Sequence, residues 1–180
     1  VKDAEAAGWR MVTPYVPGIA AHYMNFGLVD GTFEADKPEM ILYDGTEPDS
    51  RVVGLSYYIL KQGASEPTQG FTGGNDHYHR HVGLCMRDGV TIGDSSTTEA
   101  ECVALGGSKG KRNDGWMSHA WVVPGCESPW GVFSAASPIL DWDLGQSSGK
   151  DDGHCAGSSV RERYGMDDPP TADRKSTRLN

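Results

Sequence analysis

RVVGLSYYILK, residues 51–61, alternates along its length: Val53, Leu55, Tyr57 and Ile59 form one uninterrupted apolar face. A period of two is the signature of a strand, because successive side chains point to opposite faces. Just upstream, EMILYD (39–44) shows the same period. Glu39, Ile41 and Tyr43 share one face, and Met40 and Leu42 the other. The intervening GTEPDSR is rich in turn formers, so the two segments read as an antiparallel hairpin with a longer loop.

Working outward, TPYVPGI (13–19) is extended, since its two prolines forbid a helix interior. AAHYMNFGLV (20–29) reads as a strand carrying His22. VKDAEAAGW, at the amino end, reads as a helix remnant stopped near Gly8. SSTTEAECVALGG (95–107) is the one internal helix: Thr98 and Glu101 have capping-box spacing, and Gly106 can end it. A strand is predicted over WMSHAWVVPG (116–125), ended by proline, and a short last one over 130–134. The fold class that follows is α+β, mainly antiparallel β, as a sandwich or partly open barrel.

The chain has 180 residues, which suits one domain, placed at 9–145. A loosely ordered tail is expected over 146–172, where Ser, Gly and Asp dominate. DRKSTRLN (173–180) resembles a translated sequencing adapter and is set aside from fold reasoning. No apolar run reaches eighteen residues, so membrane insertion is not expected. The net charge is −9 and no basic stripe offsets it, which argues against nucleic acid as a partner.

Four cysteines, Cys85, Cys102, Cys126 and Cys155, are widely spaced and form no C-x-x-C pair. An even count in a Gly-rich acidic domain predicts two disulfides and an oxidising, secreted or extracytoplasmic location. Three pairings are open, and Cys85–Cys102 with Cys126–Cys155 closes the most local loops.

The chemistry concentrates in NDHYHRHVGLC (75–85). With six histidines in 180 residues, chance does not account for three at alternate positions. On a strand spanning 77–86, His77, His79, His81 and Cys85 point one way, and Tyr78, Arg80, Val82 and Leu84 the other. Alternate residues lie ~6.5–7 Å apart along a strand, so three in a row do not reach one ion. Further ligands must come from elsewhere. His119 shares an apolar face with Met117 and Trp121, His22 lies in another strand, and Glu39 opens a third. A site of His22, Glu39, His119 and members of the His77/His79/His81 set has the donor character of zinc, iron or manganese centres. Two histidines with a carboxylate is also the arrangement of non-haem iron oxygenases and fits hydrolytic zinc. His-Tyr-His resembles the H-x-H of cupin barrels, but the glutamate expected a few residues later is absent. No Walker loop, G-x-S-x-G or H-E-x-x-H motif occurs, so a nucleotide cofactor is not expected.

The competing reading is a non-catalytic extracellular binding module, presenting Trp116, Trp121, Trp130 and Trp142 for a partner or a surface glycan. A histidine-based pH sensor is a third. GIAAHYMNFG, PEMILYDGT, VVGLSYYI, GGNDHYHRHVGLC and MSHAWVVPGCESPWGVFS together resemble a family of uncharacterised exported bacterial proteins, over most of residues 13–142. The resemblance implies secretion; it brings no activity and no catalytic residue.

Overall fold

The computed structural model describes residues 1–61, 63, 65–71, 77–110 and 115–140. A short helix α1 (Lys2–Ala6) leads into strands β1 (Arg10–Val16), β2 (Ala20–Met24), β3 (Met40–Tyr43) and β4 (Val52–Leu60). Strands β5 (Cys85–Arg87) and β6 (Val90–Gly93), helix α2 (Glu99–Ala104), and strands β7 (Ser108–Lys109) and β8 (Gly115–Ala120) follow. Two antiparallel sheets result, a larger one of order β1-β2-β3-β4-β8 and a smaller one of order β6-β5-β7. The expected β-rich α+β architecture is therefore present, with the β3–β4 hairpin at the middle of the main sheet.

Local chemistry accounts for the element ends. Gly8, at φ +99°, ends the turn after α1, a conformation costly for a residue with a Cβ. Thr98 and Glu101 form the full reciprocal capping box on α2, and Gly106 follows its C-cap at φ +75°.

Both faces of the main sheet are covered. On the outer face, Val1 and Ala4 of the α1 region pack on Ala21, Tyr23 and Tyr43. Over the inner face lies a strap, residues 121–140. It begins where β8 ends and returns to the β1–β2 turn, where the Ser137 amide donates to the Gly18 carbonyl over 2.7 Å and the Gly18 amide donates to Leu140 O. Trp121, Cys126, Ile139 and Leu140 of the strap close a buried cluster with Ala20, Leu42 and Val53. Double coverage explains why Ser56 and Gly54, on the non-apolar face of β4, are as buried as Val53 and Ile59.

Several sequence expectations need correction. The extended run expected over 13–19 turns at 17–19, and the strand expected over 20–29 ends at Met24, before a turn at 26–28. Residues 77–86 are not one strand: His79 makes an isolated antiparallel bridge to Met117, and Gly83, at φ +69°, turns the chain before β5 begins at Cys85. Cys85 consequently belongs to the second sheet and not to the histidine face. The strand expected over 116–125 ends at Ala120, because the Trp121 amide turns to donate to the Val132 carbonyl of the strap. Residues 130–134 form turns rather than a strand.

Cys85 is bonded to Cys102, tying β5 to α2. Closing a loop of 17 residues contributes about 3 kcal/mol by restricting the unfolded chain. Cys126 is buried and also disulfide-bonded. Cys155, its expected partner, lies outside the described residues, as do Trp142, the tail expected over 146–172 and the adapter-like segment 173–180.

Candidate metal centre

Register decides which side chains share the inner face. His22 pairs with Leu42 and Leu42 with Gly54, while Met24 pairs with Met40, Met40 with Ser56, and Ser56 with His119. Directly paired residues lie on the same side of a sheet, so both histidines stand on the inner face. β2 and β8 are separated by β3 and β4, a span of ~14 Å in a flat sheet. Yet the Nε2 atoms of His22 and His119 are 3.1 Å apart. The sheet must coil towards this face. The small residues Gly54 and Ser56 leave room for the two rings to arch over its centre. A Cβ on Gly54 would lie 3.0 Å from the Trp121 ring and 3.2 Å from Leu42 Cδ1, so no larger residue fits there without displacement.

The histidine-rich segment supplies the remaining rings. The His79 amide donates to the Met117 carbonyl and the Met117 amide to His79 O, both over 2.8 Å, which fixes His79 beside β8. Its ring lies 5.1 Å from that of His119 and 5.0 Å from that of His81, centre to centre. The His22 and His119 rings are 5.2 Å apart by the same measure. Four imidazoles from three separate segments thus gather at one end of the inner face. They run from His22 and His119, which are 2% and 1% exposed, through half-buried His79, to His81 at the surface. Tyr78 faces the other way, packed with Trp116 and Ile59, and Arg80 lies over the Trp116 ring.

Burial keeps the cluster neutral. It lowers the pKa of His22 to about 3, with His81 and His79 adding like-charge repulsion and the Ala20 carbonyl acting in the opposite sense. It lowers His79 to about 4, again helped by His81. His119 is held well below the ordinary value by burial first, then by His22 and His79. Partial desolvation lowers His81 as well, although its outer edge meets solvent.

Hydrogen bonding fixes the protons. His119 Nδ1 lies 2.8 Å from the Ala135 carbonyl, which can only accept, so Nδ1 carries the hydrogen and Nε2 the lone pair. In the metal-free state His22 must then donate from Nε2 to His119 Nε2. Its own Nδ1 is buried and closes no full hydrogen bond, the Ala20 carbonyl being the one backbone acceptor that acts on the ring. His79 Nδ1 is likewise buried and unpartnered, and so is Ser56 Oγ, opposite His119. Unpartnered polar atoms at one place are unusual in a folded core. Ala20, two residues before His22, is fully buried at φ +67°, a left-handed conformation rare for a residue with a side chain.

Of the six residues expected to share the site, His22, His79, His81 and His119 come together. His77 is exposed and has no ring contact with them. Glu39 is buried, but its Oε2 accepts from the Tyr58 amide over 2.8 Å. Burial raises its carboxyl above the usual range, and it makes no contact with an imidazole among the described residues. The carboxylate of the expected two-histidine, one-carboxylate set is therefore engaged with backbone. No three His, Cys, Asp or Glu side chains among the described residues are already disposed around one ion.

No family model, no curated protein and no solved structure matches this chain.

Two features escaped the sequence reading. His22-Tyr-Met24 and Met117-Ser-His119 each place a methionine two residues from a buried histidine, on the same strand face. Met40 also stands on that face, paired with Met24. H-x-M and M-x-H spacing within strands was the available signal.

Among the described residues, the tryptophans of the expected set do not form an exposed row. Trp116 and Trp121 are core residues, and Trp130 alone of the described members of the set is exposed, at 47%.

Proposed function

We propose that this is an exported protein whose inner-face histidine cluster binds a transition-metal ion, with His22 and His119 as the first ligands. The observation that carries the reading is the 3.1 Å separation of the two Nε2 atoms. Two nitrogens bound to one ion at ~2.0–2.1 Å lie about 2.9 Å apart at a right angle and about 3.4 Å apart at the tetrahedral angle. The observed spacing falls between them, so loading the ion needs little ring movement.

The protons support the same reading. His119 already carries its hydrogen on Nδ1, bonded to a backbone carbonyl, as metal-bound histidines do. Binding through His22 Nε2 requires its proton to move to Nδ1, which is buried and closes no full hydrogen bond, with the Ala20 carbonyl as the backbone acceptor acting on the ring. Because burial holds the rings neutral, the lone pairs are available at neutral pH without competition from protons. His79 stands beside His119, and His81 marks the solvent side of the cluster. Export is supported by the Cys85–Cys102 disulfide and the bonded state of Cys126. No helix among the described residues is long and apolar enough to cross a membrane.

The test is titration of untagged, chelator-stripped protein with zinc(II), cobalt(II) and copper(I). One equivalent should bind. His22→Gln and His119→Gln should each weaken binding by more than the ~10–100-fold that loss of a supporting hydrogen bond costs, with an unchanged circular dichroism spectrum. If none of the three ions binds, or if folded variants bind as the wild type does, the reading is wrong.

A further inference from the structure

The site's donor set points to a particular ion. We propose that the inner face takes copper(I), held by His22, His119 and the thioether of Met40. This rests on the metal-binding reading above and adds the third donor and the identity of the ion.

The argument begins with the floor of the site. His22 stands in the row His22–Leu42–Gly54, and His119 in the adjacent row Met24–Met40–Ser56–His119. The two rings meet over β3 and β4, so the residues beneath their meeting point are Leu42, Gly54, Met40 and Ser56. Leu42 and Gly54 offer no donor, and Ser56 offers a hydroxyl. Met40 is fully buried and stands diagonally across from His22, a ~7–8 Å backbone offset that a long side chain spans. Met24, 7% exposed, is its neighbour on the β2 side. Met117 stands directly opposite His79 and two residues from His119. Three methionines therefore surround the imidazole cluster on one face of the sheet.

Thioether sulfur is a soft donor that favours copper(I) over zinc(II), iron(II) or manganese(II). Charge favours the same ion. Among the described residues, the titratable groups acting on His22, His79 and His119 are imidazoles, and the carbonyls of Ala20 and Ala135 act on them as well. Glu39 is committed to the Tyr58 amide. A buried ion held by neutral ligands keeps its full charge, and the cost of desolvating a dication is about four times that of a monocation of equal size. Neutral nitrogen and sulfur donors on buried side chains thus suit a monovalent soft ion.

The experiment uses the untagged, chelator-stripped full chain, kept anaerobic and reducing for copper(I) with its disulfides intact. Copper(I) is titrated against bicinchoninate and zinc(II) against a chromophoric zinc chelator, for wild type, Met40→Leu and Met24→Leu. Leucine for methionine nearly conserves volume, so the fold should persist. Copper(I) should bind at least about 100-fold more tightly than zinc(II), a difference of about 2.7 kcal/mol. Met40→Leu should weaken copper(I) by about tenfold or more and leave zinc(II) unchanged, while Met24→Leu has the smaller effect. In wild type the Met40 methyl carbon resonance should shift on copper(I) addition, a readout independent of any variant. Zinc(II) binding as tight as copper(I), or a Met40 methyl and a folded Met40→Leu protein both indifferent to copper(I), would overturn this assignment and leave the histidine site standing. Failure of both ions to bind would overturn the site itself.

Discussion

Between pH 7 and pH 5 the metal-free protein should lose about 4 kcal/mol of unfolding free energy through His22 and His79 alone. Their folded-state pKa values lie at about 3 and about 4, against an ordinary 6.5. Between those values and 6.5 the unfolded chain binds protons that the folded chain refuses, so stability is complete above pH 6.5 and falls as the pH falls. At pH 5 each group has cost about 2 kcal/mol, and His119 acts in the same direction. Domains of this kind have about 5–15 kcal/mol in total, so the loss is large. Urea unfolding at pH 7, 6 and 5 in the presence of a chelator measures it. The His22→Leu, His79→Leu double variant should show a decline shallower by about the same 4 kcal/mol. A wild-type midpoint that stays level from pH 7 to pH 5 would show that the rings are not held neutral by burial.

Trp121→Ala should cost about 3–5 kcal/mol, the range for removing a large aromatic side chain from a packed core. Trp121 is fully buried, packs on Gly54, and donates from Nε1 to the Ser134 carbonyl over 2.8 Å. That bond also anchors the strap one residue before Ala135, whose carbonyl sets the His119 tautomer. Trp121→Phe keeps most of the apolar area and leaves the Ser134 carbonyl unpaired, at about 1–3 kcal/mol. If the strap positions His119, Trp121→Phe should also weaken metal binding. Thermal and urea unfolding give the stability change. A Trp121→Ala protein within about 1 kcal/mol of wild type would contradict the role of the strap as the lid of this core.

Periodicity made much of the fold legible. The alternation of 51–61 identifies β4, its pairing with 40–43 follows from the turn-rich link, and Thr98, Glu101 and Gly106 delimit α2. What periodicity does not carry is closure in three dimensions. His22 and His119 are 97 residues apart and three strands removed. They meet only because the sheet coils over Gly54 and Ser56, and coiling has no period. Gly83 illustrates a second limit. A lone glycine within a strand-like run is compatible with either continuation or a turn, and here it turns, taking Cys85 to another sheet. Trp121 shows a third: WVV has every local property of a strand, yet the strap competes for the Trp121 amide and wins. Glu39 immediately precedes β3, and its carboxylate satisfies the Tyr58 amide, a partner 19 residues on that no local pattern names.

The most direct measurement is long-range proton–nitrogen NMR correlation of the imidazoles in nitrogen-15-labelled, untagged protein, metal-free and then loaded with zinc(II) or copper(I), both diamagnetic. Metal-free, His22 should carry its hydrogen on Nε2 and His119 on Nδ1. On loading, His22 should switch to the Nδ1–H form, with the Nε2 resonances of both rings shifting together as one equivalent is added. Spectra in which His22 keeps its Nε2 hydrogen while only the surface rings of His77 and His81 respond would contradict the shared site.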